Sequence, residues 1–284
     1  MKLALGTVQF GLDYGVSNTQ GQLCIEEIKK IINCAQKNNI NTLDTAAAYG
    51  NSEKIIGNLC SKAKPPLNIV TKLSPCINNS NLTKQLESSL VKLKVDSVYA
   101  VMLHDVEILL SSQGDFIYQQ LIELKQKHYC KKIGVSVYTP AQLTQILERY
   151  DIDIVQLPIN IFDQRFSEPE LIKSLKNRSI EIHARSLFLQ GLLLMERNQM
   201  PIYFKQFNKV FEKLEHYCNS HSFTKLEACI AFSKSLSFVD KIVIGVNKLI
   251  ELEEIINLYN KTDSIDFSPY AHHKQHLINP AYWP

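Results

Sequence analysis

The stretch NTLDTAAAYGNSEKIIG, residues 41–57, ends an apolar run in an aspartate and places a tyrosine five residues later, ahead of a helix-like segment. Two further polar residues close other apolar runs: Lys72 in NIVTKL and His104 in SVYAVMLH. Gathered in one pocket, Asp44, Tyr49, Lys72 and His104 would make a proton donor. A free tyrosine has a pKa of about 10, too high for easy proton exchange at neutral pH. A lysine cation within about 4–6 Å favours the phenolate and lowers that value. The aspartate would keep the lysine charged and in place, and the histidine can hydrogen-bond a carbonyl oxygen beside the phenol. A donor aimed at an oxygen that is becoming an alkoxide is what carbonyl reduction needs, provided a hydride arrives from the other side. Taken singly, each residue also has a structural reading. Asp44 could cap the following segment, Tyr49 could be a wall residue, Lys72 could pair with Asp44 for structure alone, and His104 could be a satisfied histidine at a strand edge. Their joint occurrence at three consecutive strand ends points to chemistry.

For these residues to meet, the elements that carry them must converge. Strand-like runs fall at 3–10, 41–46, 68–73, 97–104, 132–138, 153–159, 181–187 and 241–246. Most are rich in Val, Ile and Leu without strict alternation, the mark of strands buried on both faces. Helical patterns separate them, at 25–38, 81–93, 116–129, 139–150, 169–177 and 249–259. The first of these places Ile28, Ile31, Ile32 and Ala35 on one stripe, and the second repeats leucine at 82, 86, 90 and 93. Thr139 followed by Pro140 gives a cap with proline at the first helical turn. Two helical stretches fall between the seventh and eighth runs, so that connection holds an extra helix. Eight such units of about 35 residues predict an α/β protein, a single-domain (β/α)8 TIM barrel over residues 1–284. The rival is a doubly wound open sheet, which would show GxGxxG after its first strand, and GTVQFGLDYG does not supply it. In a barrel, the C-terminal ends of the strands share one mouth.

Composition narrows the function classes. A net charge of +3, with no basic block longer than KK, argues against a nucleic-acid protein. No run of 18 apolar residues exists, so no membrane span is expected. Seven cysteines, an odd count with no CxxC, fit free thiols in a reducing cytosol, and a cytoplasmic protein is expected. The tail AHHKQHLINPAYWP carries His272, His273 and His276 without a carboxylate or thiol at close spacing, so no metal site is expected; Trp283 should pack the tail or line the substrate rim.

LGTVQFG (5–11), LDTAAAYGNSE (43–53), VTKL (70–73), LHD (103–105), IGVSVY (133–138), VQLPIN (155–160), ARSLFLQGLL (184–193) and IGV (244–246) together resemble the aldo-keto reductases over nearly the whole chain. The resemblance implies the tetrad Asp44, Tyr49, Lys72 and His104, with Tyr49 as general acid, and a nicotinamide dinucleotide stretched across the barrel mouth. It places Ser136 and Gln156 on the carboxamide, with Asn160 nearby and Asp44 adjoining. Ser186, Leu187, Gln190 and Gly191 fall on the loop along the pyrophosphate, and Gly245 and the start of the last helix at the adenosine end. Ser136 also reads as a small strand residue, and Gly191 and Gly245 as turn glycines. Lys248 could take a 2′-phosphate, although Glu251 stands where a basic or neutral side chain is common. NADPH is the expected cofactor, with NADH open. QLPIN, FLQGLLL and INPAYW are similar to reductases of bacterial surface-sugar pathways, which implies a small carbonyl substrate such as a sugar or sugar nucleotide. Two other functions use the same residues: a nucleotide-sensing regulatory subunit without catalysis, and a Schiff-base lyase built on Lys72. Ser52 reads as the cap of the helix that follows Tyr49.

Overall fold

In a computed structural model describing residues 1–61, 63, 66–75 and 81–284, eight parallel strands close into a barrel in sequence order. They are β1 (Leu3–Gly6), β2 (Thr42–Asp44), β3 (Asn68–Leu73), β4 (Val98–Leu103), β5 (Cys130–Ser136), β6 (Ile154–Pro158), β7 (Glu181–Arg185) and β8 (Lys241–Ile244). The helices are α1 (Val8–Gly11), α2 (Ile25–Lys37), α3 (Ser52–Cys60), α4 (Leu82–Leu93), α5 (Glu107–Leu110), α6 (Gly114–Gln126), α7 (Pro140–Arg149), α8 (Pro169–Asn177), α9 (Asn208–Ser220), α10 (Lys225–Ser235), α11 (Leu249–Lys261) and α12 (Gln275–Ile278). The (β/α)8 expectation holds, and the β7–β8 connection carries α9 and α10. Among the described residues no helix is long and apolar enough to cross a membrane.

Helix faces follow the apolar spacing. α2 buries Ile28, Ile31, Ile32 and Ala35, and α4 buries Leu82, Leu86, Leu90 and Leu93, all in the main core between barrel and helices. Thr139 closes a capping box on α7: its hydroxyl accepts from the Gln142 N–H while the Gln142 side chain accepts from the Thr139 N–H. Strand ends differ from expectation. β1 stops at Gly6, where the chain turns into α1; the Thr7 N–H and hydroxyl both donate to the Asp44 carbonyl and hold that turn against β2. β7 stops at Arg185, because Ser186 takes φ +64, which no strand accommodates. Cys24, Cys34, Cys60, Cys130, Cys218 and Cys229 are free thiols; Cys76 lies outside the described residues.

Val70, Ala100, Met102 and Ile154 form a small separate core inside the barrel. Residues in register on neighbouring parallel strands project to the same side. Asp44 pairs with Val70, Lys72 with Met102, Ser136 with Gln156, Gln156 with His183, and Pro158 with Arg185. Asp44, Lys72, Ser136, Gln156 and Arg185 therefore all project into the barrel near its C-terminal rim. At the opposite end, the Glu181 carboxylate accepts from the Tyr99 hydroxyl at 2.6 Å and from Lys132, and its other oxygen lies 2.7 Å from His183 Nε2. This cluster joins the N-terminal halves of β4, β5 and β7, away from the mouth.

Candidate active site

The DTAAAYGNSE segment works first as a clamp. The Ser52 hydroxyl donates to the Thr7 carbonyl at 3.0 Å and to Thr7 Oγ1 at 2.9 Å, and stands 3.1 Å from Thr45 Oγ1, all buried. Ser52 is thus not the helix cap expected of it: Asn51 occupies the cap position, and Ser52 turns inward to tie β1 to β2. Buried Glu53 accepts from the Thr71 hydroxyl at 2.7 Å, tying α3 to β3. A Cβ on Gly11 would lie 1.8 Å from the Tyr49 carbonyl, so α1 can seat the Tyr49 turn only because that position is glycine. The clamp fixes the backbone on both sides of Asp44 and Tyr49.

Within that frame the four polar residues meet. Lys72 Nζ donates to Asp44 Oδ1 at 2.6 Å and to the Thr45 carbonyl at 3.1 Å, with both side chains almost fully buried. The ammonium lies 5.2 Å from the centroid of the Tyr49 ring, and His104 meets that ring edge-on at 5.6 Å. Burial pulls the Lys72 pKa down, and Asp44 with Tyr49 more than restores it, leaving the ammonium above its ordinary value. For Tyr49 the net direction is opposite to the sequence expectation. Burial raises the phenol, and the lowering by Lys72 does not overcome it. The phenol therefore holds its proton at neutral pH. Burial, then the Lys72 charge, pushes His104 down to about 4, which leaves a neutral imidazole with one N–H to donate.

The depressed His104 value has a consequence for stability. Its pKa falls from 6.5 to about 4 on folding, so between those values the unfolded chain binds a proton that the folded chain does not. Stability is then lost as pH falls from 6.5 towards 4. In urea titrations at pH 7 and pH 5, the midpoint should drop in the wild type, and His104→Gln should drop less. An equal drop in both would remove His104 as the cause.

The remaining expected residues lie around this centre. Ser136, the last residue of β5, and Gln156, within β6, are buried, and Gln156 Nε2 donates one N–H to Asp44 Oδ2 at 2.7 Å, so its carbonyl and its second N–H are left to receive a ligand. Asn160 is committed: Nδ2 donates to the Ser186 carbonyl, and Oδ1 accepts from the Phe162 and Asp163 N–H groups. After β7, Ser186, Leu189, Gln190 and Gly191 all take positive φ. Leu187 is buried, so it can meet a ligand mainly through its backbone. The Gln190 carbonyl accepts from the Val16 N–H at 3.1 Å, and a Cβ on Gly191 would lie 1.8 Å from Ser17 Oγ. The loop after β7 and the loop after α1 therefore pack against one another. Gly245 lies beside Gln9, whose Oε1 is buried with no partner among the described residues, as is Asn247 Oδ1. Two orphaned acceptors, Gln9 on α1 and Asn247 in the loop after β8, are what a dinucleotide lying there would satisfy. Lys248 is exposed at the start of α11, where Glu251 accepts from the Asn247 N–H and Glu27 from the Leu249 N–H. Trp283 meets Phe204 edge-on at 4.9 Å and so packs the tail rather than joining this group.

The aldo/keto reductase family model matches residues 2–271. The chain belongs to the aldo/keto reductase family. It is 23% identical over 245 residues, 78% of each chain, to YqkF of Bacillus subtilis (strain 168), described as an uncharacterized oxidoreductase. In fold it is similar to the holo form of the aldo-keto reductase AKR11C1 from Bacillus halodurans, with a TM-score of 0.78 and 16% identity over 97% of this chain and 94% of that one. It is also similar to the glycerol dehydrogenase AKR11B4 from Gluconobacter oxydans, with a TM-score of 0.71 and 20% identity over 93% and 88%. This aldo/keto reductase is an oxidoreductase, and its family uses nicotinamide cofactors. Sequence reasoning missed Arg185 in this reductase, the last inward residue of β7. Its signal was present in the period-two series Glu181, His183, Arg185, which sets three polar residues facing into the barrel.

Proposed function

We propose that the protein reduces an aldehyde or ketone to an alcohol, using NADPH, with Tyr49 as proton donor. The observation that carries this reading is the buried Asp44–Lys72 pair beneath a protonated phenol, with a neutral imidazole at its edge. A reduced nicotinamide, when bound, supplies the hydride. The protein's residues do the rest. The His104 N–H holds the carbonyl oxygen, and Tyr49 gives that oxygen its proton as negative charge develops there. Lys72 then stabilises the phenolate left behind, its charge fixed by Asp44. Ser136 and the Gln156 carbonyl orient the carboxamide. Gly245 and the orphaned Gln9 and Asn247 acceptors fit the rest of the dinucleotide along α1 and the loop after β8.

Lys248 is proposed to take the 2′-phosphate, favoured by its exposure and by the start of α11 and opposed by Glu251. Fluorescence titration with NADPH and NADH, followed by a panel of reactive aldehydes, tests the whole reading. Lys248→Ala is expected to weaken NADPH by about tenfold and leave NADH within about twofold, the size of one surface phosphate contact. Equal weakening of both would remove the phosphate role. Tight cofactor binding with no oxidation by any aldehyde would favour the regulatory-subunit reading. The Schiff-base alternative needs a neutral Lys72, whereas Asp44 holds it charged.

A further inference from the structure

Most charges near the barrel mouth are neutralised in pairs. Lys72 is held by Asp44, and Arg165 donates to Asp163 through Nε and Nη2, both at 2.8 Å. Outside the barrel, the depression lined by Arg197, Glu215, Phe223 and Lys225 is neutralised likewise, since Glu215 pairs with both cations. Arg185 differs. It projects inward from the end of β7, half-buried, and makes no ion pair among the described residues.

Its guanidinium is nevertheless fixed. Nη2 donates to the Val137 carbonyl at 3.1 Å, Nη1 to Ser186 Oγ at 3.2 Å, and the group lies over the Tyr138 ring at 4.4 Å. Two of the five N–H donors are used in this way, and three are left. The charge reaches the reacting centre, since it acts on Tyr49, Lys72 and His104 alike. A half-buried cation without a counter-ion is costly, and that cost is relieved when a ligand brings an anion. A planar fork held in advance suits two oxygens of one anionic group and loses little freedom in binding them.

We propose that Arg185 determines substrate specificity by binding a carboxylate or phosphoryl group carried a few bonds from the carbon that is reduced. This rests on the carbonyl-reductase reading and narrows it to anionic carbonyl compounds. Neutral sugars and alkyl aldehydes become poor substrates.

Two matched pairs test it: 4-carboxybenzaldehyde against 4-methylbenzaldehyde, and glyceraldehyde 3-phosphate against glyceraldehyde. The wild type should favour the anionic member of one pair in kcat/KM, and the pair concerned identifies the group. In Arg185→Met that ratio should fall by about 10- to 100-fold, with part recovered in Arg185→Lys, the range expected of a lost charge-assisted bidentate contact. The Kd for NADPH, measured by fluorescence, should stay within about threefold. The inference falls if the wild type shows no preference in either pair, if the ratio survives in Arg185→Met, or if cofactor affinity falls in step, which would assign the guanidinium to the dinucleotide. Should the wild type reduce none of the four, calorimetry with 4-carboxybenzaldehyde and with glyceraldehyde 3-phosphate separates the readings. Binding that depends on Arg185 keeps the anion site while the reductase reading fails, and no binding overturns both.

Discussion

Tyr49→Phe is expected to lower kcat by about 10²- to 10⁴-fold, the range of a lost general acid, while the Kd for NADPH stays within about threefold. The substitution removes one oxygen and little else. The ring keeps its edge contact with His104 and its position beside the Lys72 ammonium, because both are contacts to the ring. The clamp that seats the residue acts through backbone and through Ser52, so the turn should hold. Burial keeps the phenol protonated at neutral pH, which is the state a proton donor must start from. The lysine is then needed for the phenolate that remains after the proton has left. The measurement is single-turnover oxidation of NADPH by an excess of aldehyde, with the melting temperature of each variant as control. Turnover in Tyr49→Phe within about tenfold of the wild type would mean that the proton comes from elsewhere, His104 or water, and the proposed role would be lost.

The barrel was legible because its strands are buried on both faces and its helices on one. Apolar runs without alternation marked the strands, and stripes such as Ile28, Ile31, Ile32 and Ala35 marked the helices. The strand ends were less legible, because backbone turns inside apolar stretches set them: β1 gives way to α1 within LGTVQFG, and Ser186 leaves β7 at positive φ. Ser52 shows the same limit. Its type and position suit a helix cap, but its hydroxyl goes inward to Thr7. The meeting of Asp44, Tyr49, Lys72 and His104 followed from the barrel, since all four sit at or just beyond the rim. The sign of the Tyr49 shift did not follow, because it is a contest between burial and the Lys72 charge, and burial depends on packing from every neighbouring element. Arg185 was passed over because the motif drew attention to the loop beginning at Ser186. Period-two placement along β7 would have brought it in.

Lys72→Met should destabilise the protein by about 3–5 kcal/mol, because it leaves the Asp44 carboxylate buried with no cation. The side chains of Lys72 and Asp44 are only 1% and 5% exposed, and among the described residues Gln156 alone would remain to donate to the carboxylate. A loss of that size lowers the melting temperature by roughly 10 °C in a chain this long. The Lys72 pKa is raised on folding, so its contribution is complete at pH 7 and is lost only as pH rises through the folded value. The comparison therefore belongs at neutral pH. Turnover should fall as well, since nothing is left to stabilise the Tyr49 phenolate. Fold and chemistry then fail together in the single variant, and a second substitution separates them. In Lys72→Met with Asp44→Asn the stranded charge is gone, and about half or more of the lost stability should return, as is common when both members of a buried pair are replaced. Turnover should not return, because the phenolate still lacks its cation. Denaturant midpoints and single-turnover rates on the wild type and the two variants measure both quantities. A double variant that regains turnover along with its fold would make the ion pair a scaffold, and the phenol would need no ammonium beneath it.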